Sequence, residues 1–372
     1  MRAFLSRLGL ILFGLCFGLL LIELLIRVLG GALLPANLRW ALTVRAAVAA
    51  QEAQYMQDDY LGRVLKPGLD VTHTLPGEFS YPLRTSDLGL GGPGFREETV
   101  QTPAFAVAVG DSFTFGLGVP AQETWVQRLQ EELGREIVNL GQPGFGPVRT
   151  ARVYERFGSG MQPQLVLWLL VPNDLEDGLL FNGMGAPSTR TPDRLDRLFD
   201  LLRPFSRLAL ITEFSLGRGP LAWAGGYTTR SIAGQTVSFH PTLLARQINL
   251  ADPVIETGWW ISRNAIAETA ARAQAEGAHF LLLLAPVRER TYMHLLSEDA
   301  GPTAFDTDPL YDRYRQLGEE LGFPVLDLTP AFVQRGQAGE LLFFPSDGHW
   351  NAQGHALVAE TLAAYLRDRG WQ

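Results

Sequence analysis

Ser112 follows a Gly-Asp pair in the stretch Val109-Gly110-Asp111-Ser112-Phe113-Thr114-Phe115-Gly116-Leu117-Gly118. Ahead of it runs Ala104–Val109, short and apolar, suited to a buried parallel strand. Behind it, Glu123 opens a segment with Trp125, Val126, Leu129 and Leu133 at helical spacing. A hydroxyl at such a strand-to-helix junction sits at the sheet edge where α/β proteins collect ligands and reacting groups. The same serine would also serve as a helix cap, and the motif alone leaves both readings open. Near the C-terminus, Asp347-Gly348-His349 brings a carboxylate and an imidazole two residues apart. In an extended chain such residues project to one side. The acid can then orient the ring while the ring takes a proton from a serine, the combination used in acyl transfer. His355 is a second candidate base, but it falls in the first turns of the last helix, four residues beyond the expected cap Asn351. No acid stands at a spacing that serves it, and it is expected at solvent or against the preceding loop.

Two further blocks complete a set. Asn139-Leu140-Gly141-Gln142-Pro143-Gly144 follows the next expected strand, and Val171-Pro172-Asn173-Asp174 the one after. Read alone, the glycines are turn residues and Asn173 starts an Asx-type turn. Taken in order with the Ser112 and His349 blocks, they resemble the SGNH (GDSL-type) hydrolases from about Phe105 to the C-terminus. Two departures are visible: Val171 stands where a glycine usually opens the third block, and the last block reads Asp-x-His rather than Asp-x-x-His. The shorter spacing is similar to that of the membrane-associated branch containing alginate O-acetyltransferase-like proteins. The resemblance implies Ser112 as nucleophile, His349 as base and Asp347 as its supporting acid. It also implies an oxyanion hole made from the backbone N–H groups of Ser112 and Gly144 and the side-chain amide of Asn173. No cofactor is implied. Asp174, Glu176 and Asp177 cluster without a histidine or cysteine, so no metal site is expected there.

The elements that must hold these residues alternate along the chain. Strand and helix signals run Phe105–Val109, Thr124–Leu133, Ile137–Leu140, Val148–Phe157 and Leu165–Leu170, then Ile261–Ala275, His279–Ala285, Pro309–Leu321 and Pro324–Leu328. This rhythm predicts an α/β fold, a three-layer α/β/α sandwich around a parallel sheet. Arg288 and Arg290 follow the fourth strand at its carboxyl end, where a salt-bridged or solvated role is commoner than binding an anionic sugar. Between 179 and 257 the pattern loosens into an insertion, with a helical stripe over Asp196–Leu210 and a flexible break at Gly217–Gly226. Trp223, Tyr227, Trp259 and Trp260 offer a sugar-stacking platform, although aromatics more often fill cores. His73 is expected as a solvated strand residue, and His279 and His294 as structural ones.

Upstream, Leu8 to about Leu34 is apolar except for Glu23 and Arg27. That length suffices for a hydrocarbon core of ~30 Å. It exceeds the ~7–15 apolar residues of a signal peptide, no Ala-x-Ala-like site appears before Leu34, and Leu15 before Cys16 disfavours lipoprotein processing. An uncleaved, single-pass transmembrane helix is expected, with Arg2 and Arg7 holding the N-terminus in the cytoplasm and the rest of the chain outside, in the periplasm or at the cell surface. Glu23 and Arg27, four apart, can pair on one helix face. The organisation expected is residues 1–34 as N-terminus and anchor, 35–103 as a juxtamembrane helix and small β appendage, and 104–372 as the hydrolase-like domain with its insertion.

Composition narrows the partners. The 372 residues carry a net charge of −8 with no Lys/Arg-rich run, which argues against nucleic acid. A single cysteine excludes an internal disulfide. The resemblance and the anchor together imply a serine esterase or O-acyltransferase acting on O-acyl, above all O-acetyl, esters of extracytoplasmic polysaccharide. The alternatives are a lipid or small-ester esterase at the membrane surface and a non-catalytic polysaccharide-binding or assembly protein on the same fold.

Overall fold

A computed structural model describes every residue except 1, 35, 97–99, 101, 176–193, 203–204, 217–226, 241–243, 245–246 and 297–307. The chain opens with helices α1 (Arg2–Leu33) and α2 (Ala36–Gln51). Two antiparallel hairpins follow, β1 (Tyr55–Asp58) with β2 (Gly62–Leu65) and β3 (Asp70–Leu75) with β4 (Phe79–Arg84). Next come β5 (Ala106–Val109), α3 (Ser112–Phe115), α4 (Trp125–Leu133), β6 (Ile137–Asn139), α5 (Pro147–Val153) and β7 (Leu165–Leu170). Helices α6 (Arg194–Leu202) and α7 (Arg207–Ser215) precede a third hairpin, β8 (Thr228–Ile232) with β9 (Gln235–Phe239). The chain ends with α8 (Pro253–Ala275), β10 (His279–Leu284), α9 (Arg288–Thr291), α10 (Pro309–Leu321), β11 (Val325–Asp327), α11 (Thr329–Gln337) and α12 (Ala352–Asp368).

The chain divides into two compact units, Met1–Ala49 with Ser188–Tyr227, and Ala50–Pro187 with Thr228–Gln372. In the larger unit, five parallel strands lie in the order β11-β10-β7-β5-β6. Their side chains alternate between two faces, as a strand's period of two requires. Val107, Val109, Val166, Trp168, Leu282 and Leu284 point to one core with residues of α8 and α10. Ala106, Ala108, Leu165, Leu167, Leu281 and Leu283 point to the other with residues of α4 and α12. These strands are apolar at nearly every interior position, the polar residues Asn139, His279 and Asp327 standing at strand ends, because both faces are covered. The expected three-layer α/β/α architecture is therefore the observed one. The chain passes from β5 outward to β6 and then back across to β7, which makes the carboxyl ends of these neighbours the switch point of the sheet.

Several local expectations change. The single helical stripe over Asp196–Leu210 is two helices, in keeping with Pro204, which disfavours helical backbone at the residue before it. Helix α8 starts eight residues earlier than the Ile261 expected, with the Asp252 carboxylate accepting from Val254 N–H and Pro253 in the first turn. His73 is buried rather than solvated: it stacks with Phe79 and Tyr81, bonds to Gln54, and burial lowers its pKa to about 4. Of the proposed aromatic platform, Trp259 is core, packed edge-on against Tyr314, and Trp260 is exposed. Trp223 lies outside the described residues.

Candidate active site

Three of the four blocks sit at the carboxyl ends of adjacent strands. The Ser112 block follows β5, the Asn139–Gly144 block follows β6, and the Val171–Asp174 block follows β7. Gly110 makes the first turn possible. It has φ +152, and a Cβ there would come within 2.7 Å of the Leu169 carbonyl. Asp111 then caps α3, accepting from Phe113 N–H at 2.9 Å. Burial pushes its carboxyl up to about 6, against the opposing pull of that N–H. Buried Asn139 ties two blocks together: its Nδ2 donates to the Thr114 carbonyl at 2.8 Å, and its Oδ1 accepts from Gly141 N–H at 3.0 Å. Gly141 itself packs so closely that a Cβ would meet the Phe115 nitrogen at 2.3 Å.

The last block arrives from a loop between Phe343 and Trp350, which form an antiparallel bridge. His349 Nε2 lies 2.7 Å from Ser112 Oγ, and His349 Nδ1 lies 2.5 Å from Asp347 Oδ1. With Nδ1–H donating to the carboxylate, Nε2 is left to accept the Ser112 hydroxyl proton. Asp347 Oδ1 also accepts from His349 N–H at 2.9 Å, so the short Asp-x-His spacing closes on itself. The imidazole packs against the Phe113 ring, with centroids 4.8 Å apart, and keeps 20% of its side-chain surface exposed. Burial opposes charge on this ring, but the Asp347 carboxylate and its hydrogen bond outweigh it, and the pKa rises above the ordinary 6.5. Burial likewise opposes charge on Asp347, yet His349 and the Arg288 guanidinium hold its carboxyl below the usual range.

Two residues outside the motifs clamp this loop. Arg288, expected to be solvated or salt-bridged, is 4% exposed and pairs with Glu289 at 3.7 Å, while its Nη1 donates to the carbonyls of Phe344, Pro345 and Asp347 at 3.1, 3.3 and 2.8 Å. Glu78, from the turn between β3 and β4, accepts from the N–H groups of Ser346 and Asp347 at 3.0 and 3.2 Å. A cation holds the loop's carbonyls and an anion its amides. Burial pushes the Glu78 carboxyl upward, partly offset by those amides. Neither residue carries a local sequence signal, because each acts on backbone far away in the chain. Asn139 does carry one: an amide at the end of an apolar strand must find partners when buried.

Gly144 follows β6 with φ +72, and a Cβ built on it would meet open space. Its carbonyl accepts from Arg149 Nη1 at 3.1 Å, which fixes the turn. Asn173 is half-buried after β7. Next to it Asp174, expected among solvated loop acids, is buried and accepts from Val171 N–H at 3.0 Å. Glu176 and Asp177 lie outside the described residues. His355, expected at solvent or against the preceding loop, does the second: it is fully buried, edge-on to Trp350 of that loop with ring centroids 5.7 Å apart. Its Nδ1 accepts from Trp125 N–H at 3.2 Å, capping α4, and burial with nearby Arg96 lowers its pKa to about 3.

Known structures are similar to this chain at low identity. An α/β hydrolase enzyme from the metagenome of Lake Arreo, Spain, is 17% identical, with 73% of this chain and 97% of that one covered and a TM-score of 0.39. A carbohydrate acetylesterase from Sinorhizobium meliloti is 12% identical over 71% and 98%, with a TM-score of 0.37. An acetylxylan esterase from Geobacillus stearothermophilus, solved as a catalytic mutant, is 15% identical over 73% and 97%, with a TM-score of 0.38. None of the curated proteins matches the chain. A family model, GDSL-like lipase/acylhydrolase, matches residues 108–357, more than half of the chain and a span that holds all four blocks. On that match the chain belongs to the GDSL-like lipase/acylhydrolase family and is an ester hydrolase.

Proposed function

We propose that Ser112, His349 and Asp347 are the catalytic triad of a membrane-anchored enzyme that removes or transfers O-acyl groups, above all O-acetyl groups, on polysaccharide outside the cytoplasm. The observation that carries the triad is the continuous chain of short contacts from Ser112 Oγ through both imidazole nitrogens to Asp347. Ser112 Oγ attacks the acyl carbon as its proton passes to His349 Nε2. The negative oxygen that develops is met by the N–H groups of Ser112 and Gly144 and by the Asn173 side chain. The proton then goes to the departing alcohol, leaving an acyl-serine that water or a sugar hydroxyl resolves by the same steps in reverse. The Asp-x-His spacing, similar to that of the membrane-associated branch, and the apolar span Gly9–Gly30, of mean hydropathy 2.6, support the setting and the substrate class.

A fluorophosphonate probe tests the nucleophile. The folded wild-type chain should label stoichiometrically at Ser112 and the Ser112→Ala variant not at all, as read by mass spectrometry of the labelled peptide. A folded wild-type chain that stays unlabelled would instead favour a binding protein on the same fold. Asn173→Ala should lower kcat by roughly 10²–10³ with KM changed much less, because its bond to the oxyanion forms in the transition state. A change confined to KM would assign Asn173 to uniform substrate binding.

A further inference from the structure

The smaller unit contains an arrangement that the ester chemistry does not use. Glu23 lies inside the apolar span Gly9–Gly30, seven residues before its end, or about 10 Å along the helix. Its carboxylate accepts from Arg27 Nε at 2.7 Å, Ser206 Oγ at 2.9 Å, Arg207 N–H at 3.0 Å and Leu208 N–H at 2.9 Å. Arg27 Nη2 in turn donates to the Phe205 carbonyl at 2.8 Å. The anchor's one acid thus caps α7, supplying partners for N–H groups that a helix start leaves orphaned. One turn further along α7, Leu210 and Ile211 pack with Leu34, Leu38 and Leu42, residues beyond the end of the span. Helix α6 shows a different surface. Leu195, Leu198 and Leu202 recur at helical spacing, and with Leu201 and Phe205 they are exposed, Leu201 at 68% and Phe205 at 75%.

Resting on the reading of α1 as a retained anchor, we propose that α6 and the start of α7 form a second membrane-inserted element, its apolar face against the acyl chains of the outer leaflet. The occupant of that face follows from the bonds to Glu23 and Arg27: Phe205 and Ser206 must sit at whatever depth those residues take, inside the span. Apolar side chains at that depth meet hydrocarbon, so their exposure in the isolated chain is what a lipid-facing surface requires. The same docking lowers the cost of a carboxylate and a guanidinium within the span, since Glu23 is largely covered and both are paired and hydrogen-bonded there.

Spin labels on the full-length chain in phosphatidylcholine vesicles test this. In a Cys16→Ser background, which leaves no native thiol, single labels are placed by Leu201→Cys, by Leu20→Cys within the span, and by Glu360→Cys on an exposed position of α12. Collision with molecular oxygen and with a polar nickel chelate is measured for each. The Leu201 label should lose nickel accessibility to the level of the Leu20 label while remaining open to oxygen, with the Glu360 label open to nickel. A Leu201 label as open to nickel as Glu360, beside a shielded Leu20 label, would overturn the insertion and leave the anchor standing. If the Leu20 label is itself open to nickel, the anchor reading fails and the inference falls with it. Shielding of Leu201 from both reagents would also overturn it, assigning the face to protein such as a second copy of the chain.

Discussion

His349→Ala will abolish turnover, with kcat down by roughly 10⁴- to 10⁶-fold, whereas His355→Ala will keep most of it. Both rings are near the switch point, six residues apart, but they do opposite jobs. His349 faces Ser112 with an open nitrogen and has a carboxylate behind it. His355 is held neutral, its Nδ1 occupied by Trp125 N–H and its pKa far below the working range. Its removal strands that N–H in the interior, at a cost of about 1–3 kcal/mol of stability. The expected pair of results, from aryl acetate hydrolysis and thermal melts, is a stable but inactive His349→Ala and an active but less stable His355→Ala. The reverse pattern would require the acid–base pair to be redrawn around His355.

Asp347→Asn should cost about 10⁴ in kcat with the fold intact, because an amide can donate to Nδ1 and so hold the ring in the tautomer that cannot take the serine proton. The pH profile carries a separate signature. A protonated His349 cannot act as base, so kcat/KM rises with pH through the pKa of the ring in the free enzyme. In the wild type that pKa is raised, burial being outweighed by Asp347, which puts the rising limb above pH 6.5. In Asp347→Asn the burial remains and the charge is gone, so the limb moves to lower pH. A variant that loses rate without moving the limb would mean that Asp347 positions the loop and does not hold the imidazolium.

The parts that were legible in the sequence are those governed by local pattern. Uninterrupted apolar runs such as Leu165–Leu170 give buried parallel strands because both faces of this sheet are covered. Asn351 reads as a cap and is one, accepting from the N–H groups of Gln353 and Gly354. What pattern does not carry is which distant segment lands on a residue. His73 lies in an alternating strand and reads as solvated until Phe79 and Tyr81 are folded against it. Arg288 reads as a surface cation, and only the return of the loop after Phe343 converts it into a backbone clamp. The hairpin β8–β9 and helix α11 carry no such pattern: β8 and β9 are short, with polar residues on one side, and α11 has two glycine or proline residues within nine.

The match to the family begins at residue 108, but physical dependence reaches further back. Glu78 grips the amides of Ser346 and Asp347, and Arg96 donates to the carbonyls of Gly116 and Val119, just past helix α3. Tyr81 and Leu83 pack with Phe115 of that helix, and Phe79 meets Phe344 with ring centroids 5.0 Å apart. The hairpin β3–β4 therefore works as a jig, touching both the helix that carries Ser112 and the loop that carries His349. A chain shortened to begin at Ala104 would retain all four blocks but lose Leu61, Val64 and Phe95 from the core on one face of the sheet. It would return the Ser346 and Asp347 amides to water and leave Arg288 alone to clamp the loop, so that His349 would be held less firmly against Ser112.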